Sequence, residues 1–361
     1  MSQLQQHRLE SYGWDSAFQQ SFQEHQQEGV VPGRVVSEKR GGLTVLCREG
    51  EFPARIAGRL RHHADDRSQL AAVGDWVALR LHQPMGRIEA VLPRRSQFIR
   101  KSAGRRSEGQ VVGANIDTVF LVSALNEDFN LRRLERYLVL AWESGADPIV
   151  LLNKSDLCPE PQRFVAESEE VAMGVPVYLL SALEGQGLEP LQQYLEHGRT
   201  VALLGSSGVG KSTLVNALAG AALQATAEIR QEDGRGRHTT THRQLLLLPR
   251  GGLLLDTPGM RELQLWDSRE GLNETFEDIL ELARECRFRD CAHDQEPGCA
   301  VRQSLRRGEI DVQRLESYRR LLREQRYQAT RQDESLKLKE KQRVKKLHKK
   351  YRKIIAHRRK R

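Results

Sequence analysis

Residues 205–213, GSSGVGKST, leave the chain few choices of fold. An apolar run, residues 200–204, leads into this stretch, and a helix-forming run, residues 213–219, follows it. That is the strand–loop–helix setting of a phosphate-binding loop. Gly205, Gly208 and Gly210 let the backbone turn tightly, so that the amides around Ser206, Ser207 and Val209 point inward at phosphate oxygens. The helix that opens near Thr213 adds a partial positive charge. In such a loop Lys211 reaches the β- and γ-phosphates and Ser212 offers its hydroxyl to Mg²⁺. A Gly/Ser-rich turn that merely begins a helix is the plainer alternative, and the flanking runs argue against it.

The rest of the chain supplies a sheet for this loop. From about residue 110, apolar strands at 117–124, 148–153, 175–181, 200–204, 244–248 and 252–256 alternate with helical patterns at 131–142, 161–171, 188–197 and 213–219. The alternation predicts an α/β unit with a parallel or mostly parallel sheet, helices on both faces and its ligand beyond the carboxyl ends of the strands. Residues 31–100 differ. Five short β-rich runs (33–37, 43–47, 52–56, 75–79 and 86–92), punctuated by Gly, Pro and Asp, predict a small barrel, best fitted by an OB-fold. Arg55, Arg59, Arg61 and His62 can form a basic rim for nucleic acid, and a protein-contacting barrel with a solvated charged face fits equally well. Residues 1–30 are Gln-rich; Leu9, Tyr12, Trp14, Phe18 and Phe22 fall at loosely helical spacing, as in a short amphipathic helix. Residues 100–106 read as a basic linker.

Three motifs at predicted strand ends suit a guanine nucleotide. In Asn153-Lys154-Ser155-Asp156 the carboxylate can accept from N1–H and the exocyclic amine of guanine. Adenine would leave it unpaired, a penalty of about 1–3 kcal/mol or more. Asn153 can bond the base edge and brace the phosphate loop, and the stem of Lys154 can lie over the ring. Ser181-Ala182-Leu183 offers backbone amides to the guanine carbonyl. Asp256-Thr257-Pro258-Gly259 offers a carboxylate to the Mg²⁺ shell and the Gly259 amide to the γ-phosphate. Between this motif and the phosphate loop lies GRGRHTTT, residues 234–241, in which Thr239 or Thr240 can close over Mg²⁺ when a γ-phosphate is present.

The order of the motifs is unusual, because the guanine-type motifs precede the phosphate loop and the chain reads as circularly permuted. The phosphate-sensing segment then runs directly into the C-terminal region, which predicts that nucleotide state is transmitted there. Met260 stands where many GTPases carry a water-orienting Gln. His238 is a chemically suitable substitute, and an ordinary loop histidine is the alternative.

Residues 272–330 read as mainly helical and hold Cys286-x4-Cys291-x-His293-x5-Cys299. Three thiolates and one imidazole suit tetrahedral Zn²⁺ in a structural site. The other two cysteines, Cys47 and Cys158, stand alone, so no disulfide framework is expected. The net charge of +9 is concentrated in residues 337–361, which carry 14 basic residues against one acidic; the remainder of the chain is slightly negative. Val344, Leu347, Tyr351 and Ile354 or Ile355 recur at helical spacing there. The tail can be a basic helix for RNA, an anionic membrane or an acidic partner, or a disordered solubilising segment. No run reaches the ~18–20 apolar residues of a membrane span, and MSQLQQHRLESYGW lacks a signal-peptide core, so a cytoplasmic location is expected.

Barrel, NKSD, SAL, GSSGVGKST, GRGRHTTT, DTPGM and C-x4-C-x-H-x5-C together resemble the RsgA (YjeQ/EngC) family of circularly permuted GTPases, over roughly residues 30–325. The resemblance implies an OB-fold barrel, a permuted P-loop GTPase domain and a C-terminal helical zinc-binding domain. It implies a GTPase of late small-ribosomal-subunit assembly that binds rRNA near the decoding region. Its hydrolysis of GTP would be slow alone, stimulated by the subunit, and followed by release. The expected divisions are 1–30, 31–100, 101–268, 269–330 and a basic tail, 331–361, which is longer and more basic than the family's usual end. The expected partners are GTP/GDP with Mg²⁺ and the small subunit with its rRNA, with no membrane and a monomeric protein. A nucleotide-gated rRNA-binding protein with incidental hydrolysis is the second reading.

Overall fold

The computed structural model describes residues 9–39, 42–64, 66–82, 84–101, 109–220, 243–256 and 269–332. The expectations for His238, Thr239, Thr240, Gly259, Met260 and the basic tail beyond residue 332 lie outside them, as does the Asp256 side chain.

The first helix, α1 (Ser16–Gln23), starts where Asp15 accepts hydrogen bonds from the amides of Ala17 and Phe18. It buries Phe18 and Phe22 together with Trp14, whose ring centroid lies 4.8 Å from that of Trp76. The N-terminal segment therefore docks on the body. Five strands follow: β1 (Val30–Lys39), β2 (Gly42–Cys47), β3 (Gly50–Ile56), β4 (Trp76–Arg80) and β5 (Gly86–Val91), with α2 (Gly58–His63) between β3 and β4. The order β1-β2-β3-β5-β4 closes on itself, because β4 also pairs with β1. This is the expected barrel. Inside it Asp75, wholly buried, takes a two-pronged pair from Arg94 at 2.7 Å on each oxygen.

The expected linker is bordered by structure. β6 (Gln97–Lys101) and β7 (Gly109–Ala114) pair antiparallel, so the division expected between residues 100 and 101 falls within a strand. The remaining elements are β8 (Thr118–Ala124), α3 (Leu131–Ser144), β9 (Asp147–Asn153), α4 (Pro161–Val171), β10 (Val177–Leu179), β11 (Thr200–Leu204), α5 (Lys211–Ala219), β12 (Arg243–Leu247), β13 (Leu253–Asp256), α6 (Arg269–Thr275), α7 (Glu277–Arg284), α8 (Ala300–Arg307) and α9 (Val312–Gln332). The helix expected at 188–197 is a 3-10 turn, Glu189–Tyr194, with Pro190 in its first turn and a left-handed Gly198 further along the chain. β10-β9-β8-β11-β13 are parallel, and β12 is antiparallel to β13.

β12 also pairs with β1 (Ser37 opposite Gln244, Glu38 opposite Arg243), so the barrel and the parallel sheet form one continuous eleven-stranded sheet. The seam is held by Arg34, 1 % exposed. Its guanidinium donates to the carbonyls of Tyr12, Gly74 (3.2 Å) and Asn115 (3.1 Å) and to the Thr200 hydroxyl (2.9 Å), joining the N-terminal segment, the barrel and β11. Burial pulls its pKa down to about 10, still far above neutrality. The C-terminal helices share the main core: Leu272, Phe276, Ile279, Val301, Leu315 and Leu321 cluster with Leu134 and Leu138 of α3. Gly271 lies so close that a Cβ would stand 2.3 Å from the Val139 carbonyl oxygen. Among the described residues no helix is long and apolar enough to cross a membrane.

Replacing Arg34 by Met keeps most of the volume and strands the carbonyls of Tyr12 and Asn115 in the seam, while the Gly74 carbonyl keeps its bond from the Asn115 side-chain amide. Arg34→Met should lower the unfolding free energy by about 2–4 kcal/mol in urea titration. Arg48→Met, at an exposed pair with Glu10 3.7 Å apart, should change it by about 0–1 kcal/mol.

Candidate functional site

The sequence-derived motifs converge at the carboxyl ends of the parallel strands. Gly205 follows β11, Asn153 ends β9, Ser181 lies just beyond β10, and Asp256 ends β13, the neighbour of β11. The loop between β11 and α5 turns through Gly208 (φ +81°) and Gly210 (φ +95°), conformations that side-chain-bearing residues rarely adopt. Two glycines also have no space for a Cβ: at Gly205 it would lie 2.4 Å from the Val122 carbonyl oxygen, and at Gly210 2.3 Å from Asn153 Nδ2. Val209 is buried with Val122, Leu214 and Val215 and anchors the loop from below. Lys211 folds back over the loop, its Nζ donating to the carbonyls of Gly205 (2.7 Å) and Ser206. Ser212 and Thr213 sit half-buried in the first turn of α5, and Ser207 is exposed at the loop crest.

Asn153 joins the permuted pieces. Buried to 2 % exposure, it donates from Nδ2 to the Val209 carbonyl at 2.8 Å and accepts at Oδ1 from the Ala182 amide at 2.9 Å. One side chain thus ties NKSD to both the phosphate loop and SAL. Lys154 adopts a left-handed conformation (φ +65°), which turns the chain sharply out of β9. The Ser155 amide donates to the Leu180 carbonyl at 3.2 Å, and Asp156 emerges into solvent in the short 3-10 turn that follows. Ser181 is wholly buried and accepts from the Glu184 amide at 3.2 Å.

One contact of the loop was not legible in the sequence. Arg133, in the first turn of α3, donates to the Ser206 hydroxyl and to Asp128 Oδ2 at 2.7 Å. One arginine among several in a helical pattern, with Arg132 and Arg136 close by, carries no signal of this; only the Asn130 side chain, which caps α3, marks where the helix begins.

A second cluster lies between α7 and α8. The ligand atoms of Cys286, Cys291, His293 and Cys299 all fall within 4.8 Å of one another. Cys286 and Cys299 Sγ are 3.8 Å apart, and His293 Nδ1 is 3.6 and 3.5 Å from them. A tetrahedral site with metal–sulfur bonds of about 2.3 Å and metal–nitrogen bonds of about 2.0 Å has edges of about 3.8 and 3.5 Å. The four residues are therefore spaced to hold a metal ion. His293 reaches its position through a left-handed backbone (φ +60°), and burial, aided by the Arg319 guanidinium, pushes its pKa down, favouring the neutral ring that a ligand needs.

On the barrel a groove of about 760 Å³ runs between β2, β3, α2 and β7, with Lys39, Arg55, Arg61 and Arg67 in its lining. Two members of the expected basic rim are elsewhere: Arg59 pairs with Glu89 at 3.0 Å, and His62 packs edge-on against His63.

Comparison with known proteins agrees with this geometry. The RsgA GTPase family model matches residues 91–266. An ABC transporter model matches residues 188–356, a range that includes the phosphate loop common to P-loop NTPases. The chain is 48% identical over 351 residues to the small ribosomal subunit biogenesis GTPase RsgA of Opitutus terrae, covering 94% of this chain and 96% of that one. It is 47% identical over 319 residues to the protein of the same name from Syntrophotalea carbinolica, covering 86% and 87%. The crystal structure of YjeQ from Thermotoga maritima aligns with a TM-score of 0.60 at 31% identity, over 82% of this chain and 98% of that one. YloQ, a circularly permuted GTPase, aligns at 0.59 and 25%, over 83% and 96%.

Asn153→Ala removes two buried hydrogen bonds and strands the Val209 carbonyl and Ala182 amide, a loss of about 2–4 kcal/mol of local order. Equilibrium binding of GDP should weaken at least tenfold.

Proposed function

The chain belongs to the RsgA family of circularly permuted GTPases, and on that premise we propose that it serves late maturation of the small ribosomal subunit, binding rRNA near the decoding region and leaving once GTP is hydrolysed. The observation that carries this reading is the Asn153 bridge, which joins a guanine-type motif to a phosphate loop across 56 residues of chain. As a GTP hydrolase the protein needs a base reader, a phosphate cradle and a cation site.

Asp156 is the base reader, with Lys154 over the ring and the Ala182 region beside the guanine carbonyl. Its exposure leaves the carboxylate open to an arriving base. The amides of residues 205–213 and the Lys211 ammonium neutralise the phosphates, and the two carbonyls that hold Lys211 aim it across the loop. Ser212, in the first turn of the helix that follows β11, and Asp256, at the end of the neighbouring β13, would hold Mg²⁺, which would offset the charge of the phosphates. Thr239 or Thr240, with Gly259, is assigned to sensing the γ-phosphate, and His238 to orienting water in place of the missing glutamine. The last assignment rests on chemistry alone, since Met260 has no polar atom to offer.

Cys286, Cys291, His293 and Cys299 form a structural zinc site. A full set of four protein ligands leaves no open position for catalysis, and the short helices α7 and α8 bury few side chains to hold themselves together. The basic barrel groove supports an RNA partner, because four cationic side chains line one concave surface. A cytoplasmic location goes with that role.

GTP hydrolysis measured with and without small ribosomal subunits, with ATP as control, tests the reading. Slow basal turnover rising strongly with subunits, for GTP alone, is the expected result. Lys211→Ala should abolish turnover and leave the protein bound to the subunit. Tight subunit binding with no stimulation, unaffected by Lys211→Ala, would instead support a nucleotide-gated rRNA binder. For the metal, elemental analysis should find zinc bound, and a strong chelator should remove it and expose residues 285–300 to protease while the barrel stays resistant.

A further inference from the structure

α3 presents its charged side chains in two directions. Arg133 reaches the phosphate loop, where it donates to the Ser206 hydroxyl and shares Asp128; the Ser206 carbonyl in turn accepts from Lys211. The residues around Arg133 reach the C-terminal helices instead. Arg132 pairs with Glu135 and, at 3.0 Å, with Asp311 just ahead of α9. Arg136 makes a two-pronged pair with Glu324 of α9 at 2.6 and 2.8 Å. Glu135, wholly buried, accepts from Arg314 of α9 at 3.1 Å, and Arg314 also forks onto Asp278 of α7 at 2.7 and 2.9 Å. Farther along α9, Arg319 donates to the His293 carbonyl within the Cys/His cluster.

Two of these contacts, Arg136–Glu324 and Arg314–Asp278, are planar guanidinium–carboxylate forks, whose geometry tolerates little sliding, and the others are single-pronged. Backbone contact at Gly271 against Val139 holds α6 to the same helix. A displacement of the first turn of α3 is therefore passed to α9, and a displacement of α9 is passed back. Phosphates arriving on the loop bring negative charge beside Arg133, whose guanidinium is divided between a neutral hydroxyl and a half-exposed carboxylate. That charge competes with Asp128 for the guanidinium.

We propose that Arg133 is a positioning residue that couples the phosphate loop to the Cys/His-bearing helices through α3, so that nucleotide and the C-terminal helices sense one another. The proposal rests on residues 205–213 being the nucleotide site. It adds a route of packed and ion-paired side chains beside the covalent one through residues 257–268. Linkage makes the coupling reciprocal: whatever grips α9 also changes nucleotide affinity.

Amide hydrogen exchange of residues 312–326 in the full chain, with and without saturating GDP or a non-hydrolysable GTP analogue, tests it. Nucleotide should slow exchange there by about five- to hundredfold, the range of ordinary coupling between sites. Arg133→Ala should weaken nucleotide binding and, at saturation, lose the slowing, whereas Arg133→Lys should keep part of it. Arg136→Glu should also lose it, and adding Glu324→Arg should restore it, which a merely stabilising pair would not do for a nucleotide-dependent signal. Full slowing in Arg133→Ala, or wild-type protein that binds nucleotide with no change in residues 312–326, overturns the coupling and leaves the nucleotide site standing. Wild-type protein that binds no nucleotide overturns both.

Discussion

The buried amide of Asn153 is the contact on which the site depends. A carboxamide offers a donor and an acceptor about 2 Å apart on one rigid plane, and here one serves the phosphate loop and the other serves SAL. The three motifs come from separate stretches of chain, in a circularly permuted order with the guanine-type motifs ahead of the phosphate loop. Nothing covalent brings them together. The parallel sheet sets their strand ends side by side, and Asn153 then locks them at hydrogen-bond distance, with Gly210 free of a Cβ to admit it. Because the tie is non-covalent, the chain can be cut and rejoined elsewhere without disturbing the site.

The permutation has a structural consequence. β13, the strand beside β11 and its phosphate loop, now precedes the C-terminal helices in the chain; β12, at the antiparallel edge of the GTPase strands, pairs with β1 of the barrel. The eleven-stranded sheet begins as a closed barrel and continues as a mostly parallel GTPase sheet, with the buried Arg34 of β1 donating to Thr200 at the start of β11. Some charged groups inside this architecture are paired by two-pronged contacts, as Asp75 is with Arg94. Burial pushes the carboxyls of Asp75 and Glu135 up, and the guanidinium groups beside each oppose that shift. Such pairs contribute less to stability than apolar packing of the same volume would, yet they hold register between elements that must keep a defined separation.

Much of this was legible from residue order. β-branched and apolar runs between Gly, Pro and Asp marked the barrel strands, and Pro161 and the capping Asn130 lie at the starts of α4 and α3. The strand–loop–helix around Gly205 and the spacing of Cys286, Cys291, His293 and Cys299 carried their chemistry in local pattern. Of the stretch expected as a linker, residues 100 and 101 belong to β6 and the rest lies outside the described residues. The apolar spacing from Leu188 suits a helix, and the structure there is a 3-10 turn, Glu189–Tyr194.

The sequence by itself determined the motifs, because each is a short constellation whose chemistry depends on residue type and spacing within a few positions. It therefore determined the class of site and the metal-type donor set. Tertiary structure alone decided which distant groups meet: Arg34 across 166 residues to Thr200, Arg136 across 188 to Glu324, and Arg133 across 73 to Ser206. The physical reason is that arginine is nearly context-free in sequence. Its long side chain is equally at home on a solvated helix face or in a buried fork, and only the packing of the elements around it selects between the two.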